Sequence, residues 1–170
     1  LLYLLSSLDF PTRGEVWIDE ENVQTMKKKD LHLFRNENIG FIFQFHYLLP
    51  EISALDNVLL PARVQGNAKD KEERAKELLH RFDVYEHAHK LPGQLSGGQQ
   101  QRISIARALI MEPRYIFADE PTGNLDLSNG LKVMEILKEA NEKHGKTLIL
   151  VTHDQDFADM AEREIYLIDG

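Results

Sequence analysis

The run Thr147-Leu148-Ile149-Leu150-Val151 carries no charge and constrains the fold more than any other stretch of the chain. A continuous apolar run of this length is expected of a strand buried on both faces of a parallel sheet. Parallel strands need long crossover connections, usually helical. The sequence supplies them. Ser128 to Glu142 reads as a helix with Leu131, Met134 and Leu137 on one face, stopped by Gly145. Before it, Tyr115-Ile116-Phe117-Ala118 is a short apolar strand. A helix over about Asp156–Arg163 and a last strand, Ile165–Ile168, are expected to close the chain.

Toward the N-terminus, residues 1–8 read as a leucine-dense, buried helix, followed by turn residues from Asp9 to Gly14. Glu15–Asp19 reads as a strand, residues 27–38 as helix or loop, and Ile39–Gln44 as a second strand. From Pro50 to about Ala108 the periodicity turns helical. Ala75, Leu78, Leu79 and Phe82 mark one face of Lys69–Phe82, and another helix runs from Ser96 through Ile103, Ala106 and Ile110 to Met111, broken by Pro113. The expected architecture is one α/β domain with a mostly parallel sheet and a helical insertion. Residues 1–44 and 106–170 form its core and 45–105 the insertion.

The totals exclude several functions. The 170 residues carry a net charge of −8, against a nucleic-acid partner, which usually needs a basic face. With no cysteine there is no disulfide, thiolate metal site or thiol nucleophile. No stretch reaches the ~20 apolar residues that span a bilayer. Leu1–Leu5 stops at Ser6-Ser7 and lacks the basic flank of a signal peptide, so it reads as part of a core helix of a longer chain.

Four places carry chemistry. In Leu95-Ser96-Gly97-Gly98-Gln99, two glycines open a helix. Free backbone N–H groups and the macrodipole make such a terminus attractive to phosphate, and Ser96 can cap it or bond an oxygen ligand. Asp119 and Glu120 end the strand Tyr115–Ala118, where ligands of open α/β sheets sit. One carboxylate there can hold Mg²⁺ and the other orient a water, although the pair alone could equally be a solvated acidic loop. His153 follows the apolar run and can touch a γ-phosphate. Gln44 follows Ile39–Phe43, where its amide can ligate Mg²⁺ or bond water. His87 and His89, with Glu86 nearby, read as a solvated helix end rather than a metal site.

Taken in order, Gln44, Leu-Ser-Gly-Gly-Gln at 95–99, the strand ending in Asp119-Glu120, Gly123-Asn124-Leu125-Asp126 and His153 resemble the ABC ATPase family along essentially the whole chain. The resemblance implies a P-loop NTPase core of RecA type with an inserted α-helical subdomain. It implies Gln44 as the Q-loop and a metal contact, Ser96, Gly97, Gly98 and Gln99 as signature residues on the nucleotide, and Asp119 as Mg²⁺ ligand. Glu120 becomes the catalytic base, Asp126 the D-loop residue and His153 the switch histidine. It further implies ATP and Mg²⁺ as cofactors and a head-to-tail homodimer whose signatures close over each other's ATP. Transmembrane permease subunits would dock near Phe45–Val58, placing the protein at the cytoplasmic face of a bacterial inner membrane.

Within the family, Gln44-Phe45-His46-Tyr47-Leu48-Leu49-Pro50 followed by Ala54-Leu55-Asp56-Asn57-Val58 looks like the ATPases of lipoprotein-releasing systems. Macrolide-export and cell-division ATPases carry similar runs and are the alternative. Between Gln44 and Leu95 there are no heptads, which sets aside the coiled-coil repair and chromosome ATPases. The intact Glu120 and His153 set aside a degenerate binding module. The family's phosphate loop, G-x-x-x-x-G-K-[ST], is expected upstream of Leu1. Gly145-Lys146-Thr147 is not that loop, because Ala140 stands where its first glycine belongs and a strand follows. The chain as it stands is therefore expected to hydrolyse ATP poorly.

Overall fold

The computed structural model describes residues 1–168. Its centre is a parallel three-stranded sheet in the order β3-β4-β5: β3 is Ile39–Ile42, β4 Tyr115–Asp119 and β5 Thr147–Val151. Gly40 lies opposite Ile116, and Asp119 opposite Val151. The middle strand is the buried one, with Ile116, Phe117 and Ala118 all inaccessible. The apolar run at 147–151 is instead half-buried and exposed at both ends. It occupies the edge of the described sheet, so one flank lacks the neighbour that would bury it.

Both parallel pairings are joined by helical crossovers. From β3 to β4 the chain passes through α3 (Ala54–Gln65), α4 (Glu72–Arg81) and α5 (Gly97–Leu109). From β4 to β5 it passes through α6 (Leu127–Glu142). Helix α3 starts at Ser53, whose hydroxyl accepts the Asp56 N–H, and ends at Gly66 in the left-handed region. Buried Asn57 donates to the carbonyls of Leu49, Ile52 and Ser53, fixing the approach to this helix. Helix α4 buries Ala75, Leu78, Leu79 and the following Phe82, as its spacing predicts. Helix α6 buries Gly130, Val133, Met134, Leu137 and Ala140, but Leu131 points outward. Met134 and Leu137 lie inward as expected, and Gly130 takes the inward place expected of Leu131.

Helix α5 ties the insertion to the sheet. Ile103, Ile105 and Ala106 are fully buried, and its C-terminal turn lies on β3. The contact is so close that a Cβ on Gly40 would stand 2.5 Å from the Ala108 carbonyl oxygen. One apolar cluster runs from α3 and α4 through α5 into β3, β4 and α6. A smaller cluster of Ile18, Val23 and Leu31 sits beneath α2 (Lys28–Asn38) and touches Ile39 and Tyr115 at the start of the sheet.

Several expectations need correction. The helix over residues 1–8 is one turn, α1 (Leu2–Leu5), and buries only Leu2 among its leucines. A single turn offers the core only one side, so Leu1, Leu5 and Leu8 remain exposed. The strand expected at Glu15–Asp19 is a tight hairpin, β1 (Trp17–Ile18) against β2 (Glu21–Asn22), turning at Asp19, whose φ is 53°. Asp is among the few residues that accept this left-handed backbone. The expected helix at 156–163 shortens to α7 (Gln155–Ala158). Ile165–Ile168 forms no strand: it pairs with no sheet edge among the described residues, and its four side chains are exposed.

Candidate nucleotide site

The parallel register places three strand ends side by side, and the candidate residues follow from it. Gln44 lies just past β3, Asp119 ends β4 with Glu120 next, and His153 lies just past β5. One main-chain and one side-chain bond lock these ends together. The Glu120 N–H donates to the Val151 carbonyl at 2.9 Å, and the Asn124 amide donates to the Gln44 carbonyl at 2.8 Å. The Gln44 side-chain amide lies 3.7 Å from where a Cβ on Gly123 would stand, so this glycine leaves room for it.

Glu120 adopts φ 47°, a left-handed conformation that costs a non-glycine residue on the order of 1–2 kcal/mol. Such strain collects at functional sites. Here the turn sends the carboxylate to His153, whose Nδ1 lies 2.8 Å from Glu120 Oε1. The carboxylate is mostly covered, whereas the imidazole is 83% exposed. Hydrogen bonding to Glu120, reinforced by its negative charge, raises the His153 pKa above the ordinary imidazole value. The Asp119 carboxylate accepts no hydrogen bond among the described residues, so its oxygens are free for a ligand. No group of three or more metal-ligating side chains occurs among the described residues. A cation here would need ligands from elsewhere. That suits Mg²⁺, which takes one or two carboxylates plus phosphate oxygens and water.

The second half of the site is the start of α5. Ser96 caps it: its Oγ accepts the Gln99 N–H at 3.3 Å, while Gln99 Oε1 accepts the Ser96 N–H at 2.9 Å. This reciprocal capping box fixes the turn. Gly97 and Gly98 follow as the first helical residues. A Cβ on Gly98 would touch Leu125 at 3.4 Å, so the glycine lets the segment after β4 pack on the helix start. That segment ends in Asp126, which caps α6 by accepting the Asn129 N–H at 3.0 Å. The Asn129 backbone bond, then its side-chain amide, lower the Asp126 pKa. Asn129 in turn accepts from Arg102 of α5 at 2.6 Å, which links Asp126 to the signature helix.

The nine candidate residues thus fall into two groups. Gln44, Asp119, Glu120 and His153 gather at the strand ends, and Ser96, Gly97, Gly98, Gln99 and Asp126 at helix starts. No hydrogen bond joins Ser96 or Gln99 to Glu120 or His153 among the described residues. Two connectors went unread in the sequence. Gln101 bridges the segments after β3 and β4, and Arg107 donates to the carbonyls of His46 and Tyr47. His87, expected to be solvated, is instead half-buried, and its Nε2 meets the Gln99 amide at 2.8 Å. Only Gln101 left a signal: an amide on the apolar face of a helix needs buried partners. Gly145-Lys146-Thr147 is a helix stop, with Gly145 at φ 60° and Lys146 Nζ spent on the Glu112 carbonyl at 2.9 Å.

A parallel α/β sheet with acidic residues at its carboxyl strand ends and a capped, glycine-opened helix beside it defines a nucleotide-binding domain of the P-loop NTPase class. Residues 1–123 match the family described as ABC transporter, and the chain belongs to that family. It is similar to the lipoprotein-releasing system ATP-binding protein LolD of Leptospira interrogans, with 51% identity over all of this chain and 72% of that protein. The protein of the same name from Aquifex aeolicus is 44% identical over all of this chain and 76% of its own length. Among solved structures, a dimeric ATP-binding cassette in a post-hydrolysis state with bound ADP and Pi superposes with a TM-score of 0.93. That match has 43% identity and covers 99% of this chain and 75% of the other.

Proposed function

We propose that this chain is the ATP-hydrolysing subunit of an ABC system that releases lipoproteins from the inner membrane, acting at its cytoplasmic face. The observation that carries the chemistry is the Glu120–His153 pair beside the free carboxylate of Asp119. Asp119, with Gln44, would hold Mg²⁺, which supplies charge neutralisation on the phosphates when bound. Glu120 orients the attacking water, and His153 holds that carboxylate and reaches toward the γ-phosphate. The backbone N–H groups at Gly97 and Gly98 donate to the ATP of a second subunit, so two copies close head to tail. Asp126 stands at the seam between them. Lipoprotein release comes from the named relatives and from the Gln44–Val58 segment. Phe45 and Tyr47, each 63% exposed on that segment, offer the permease subunits an aromatic surface.

The pattern G-x-x-x-x-G-K-[ST] does not occur in these residues, and Lys146 is engaged in stopping α6. The 170 residues alone should then bind and hydrolyse Mg-ATP poorly. The test compares this chain with a form extended upstream through a phosphate loop. Binding and turnover in the extended form only would support the assignment. Equal turnover by the short chain would place the phosphate site elsewhere and sink it.

A further inference from the structure

Gln101 is 1% exposed, yet it is fully polar and sits in the second turn of α5. Its Nε2 donates to the Pro121 carbonyl at 2.9 Å and to the Phe43 carbonyl at 3.3 Å. The first follows Glu120 and the second precedes Gln44, so one amide group holds both candidate loops. These two carbonyls also fix which end of the amide is which. An oxygen in that place would face two other oxygens with no proton between them. Oε1 therefore points the other way, where it lies 2.6 Å from His46 Nδ1. An amide oxygen only accepts, so Nδ1 must carry the proton.

The consequence reaches the far side of the ring. With the proton on Nδ1, neutral His46 has a bare Nε2. That nitrogen faces Gly97, 3.9 Å from where a Cβ would stand. Arg107 holds the backbone of the same residue through the His46 and Tyr47 carbonyls. The ring is thus anchored by α5 at both its side chain and its main chain, and it stands against the glycine that opens the same helix.

Resting on the nucleotide-site reading above, we propose that Gln101 is a positioning residue of this ATPase. It locks the segment after β3 to the segment after β4, and it fixes His46 as the Nδ1–H tautomer beside Gly97. Any shift of α5 is then transmitted to Gln44 and Glu120 together, since the three share one amide.

Histidine-selective ¹⁵N labelling of the full-length protein reads the tautomer directly. In the neutral imidazole of His46 the proton is expected on Nδ1; a neutral ring protonated on Nε2, or a mixture of tautomers, would overturn the proposal without any variant being made. In Gln101→Met, of similar shape but without polar atoms, the His46 signal should move to a tautomer mixture. The ATPase kcat should fall about tenfold to a hundredfold with a smaller change in KM, as for a misplaced catalytic group. A released tautomer with parental kcat, or an unmoved His46 signal, would also overturn it. Absence of ATP turnover in the unmutated full-length protein would count against the nucleotide-site reading, while the tautomer measurement would still test the joint.

Discussion

Glu120 carries two marks of function at once: a left-handed backbone and a hydrogen bond to a histidine on the neighbouring strand end. If it orients the attacking water, Glu120→Gln in the full-length protein should lower phosphate release by about 10²-fold or more, the scale of a lost general base. ATP should then hold the protein as a dimer on size-exclusion chromatography. Turnover at the parental rate would remove Glu120 from the role. The same pair makes a separate prediction about pH. Hydrogen bonding to Glu120 raises the folded His153 pKa. The stabilisation from this pair is therefore complete below the free imidazole value of ~6.5 and is lost as pH rises through the raised folded value. The His153 ring resonance should titrate with a midpoint above ~6.5, falling back toward it in Glu120→Gln. Identical midpoints in the two proteins would show that Glu120 does not hold the ring.

Among the elements, β3 and α5 are packed backbone to backbone at Gly40. Gly40 is extended backbone with no need for a left-handed angle, so its role is space. A methyl group there would meet the Ala108 carbonyl at 2.5 Å and the Pro113 ring at 2.9 Å. Main chain and a rigid ring cannot step aside as a flexible side chain can. Gly40→Ala should cost about 1–3 kcal/mol, the range for overpacking. A denaturation midpoint equal to the parent would mean α5 can lift from the sheet freely. The elements themselves were legible wherever periodicity spoke for them: α4 through Ala75, Leu78, Leu79 and Phe82, and α5 through Ser96 and Ile103. Sequence reading went wrong where tertiary neighbours decide. Thr147–Val151 looks buried on both faces because composition records hydrophobicity but not which flank is covered. Ile165–Ile168 has strand composition but no edge to pair with among the described residues. The candidate residues were readable because each follows a strand or opens a helix. Gln101 was harder, because its partners are main-chain carbonyls, which no residue pattern announces.

For the whole molecule, the question is whether the helical insertion and the sheet core fold as one body. Their apolar residues form one cluster, in which Leu79 of α4 and Leu137 of α6 are both fully buried. Helix α5 runs unbroken across the 105/106 division expected between the two regions, so no loop separates them. The ion pairs that also cross, Arg81–Glu139, Lys132–Asp83, Lys71–Glu112 and Arg74–Glu112, are partly exposed, and pairs of that kind add little to stability. Cohesion must come from the shared core. We therefore expect Leu79→Ala, in the insertion, and Leu137→Ala, in the core, each to lower the same unfolding transition by about 2–5 kcal/mol. Far-UV circular dichroism and Trp17 fluorescence should report coincident midpoints in both variants, as a two-state domain requires. Trp17 makes this a demanding test, because it sits in the hairpin of the smaller cluster, which meets the sheet through Ile39, Tyr115 and the Asp19–Arg114 ion pair. If Leu79→Ala splits off an early transition that Trp17 does not see, the insertion is a separate folding unit. It could then swing on the sheet at little cost, and closure over ATP would need no rearrangement of the core.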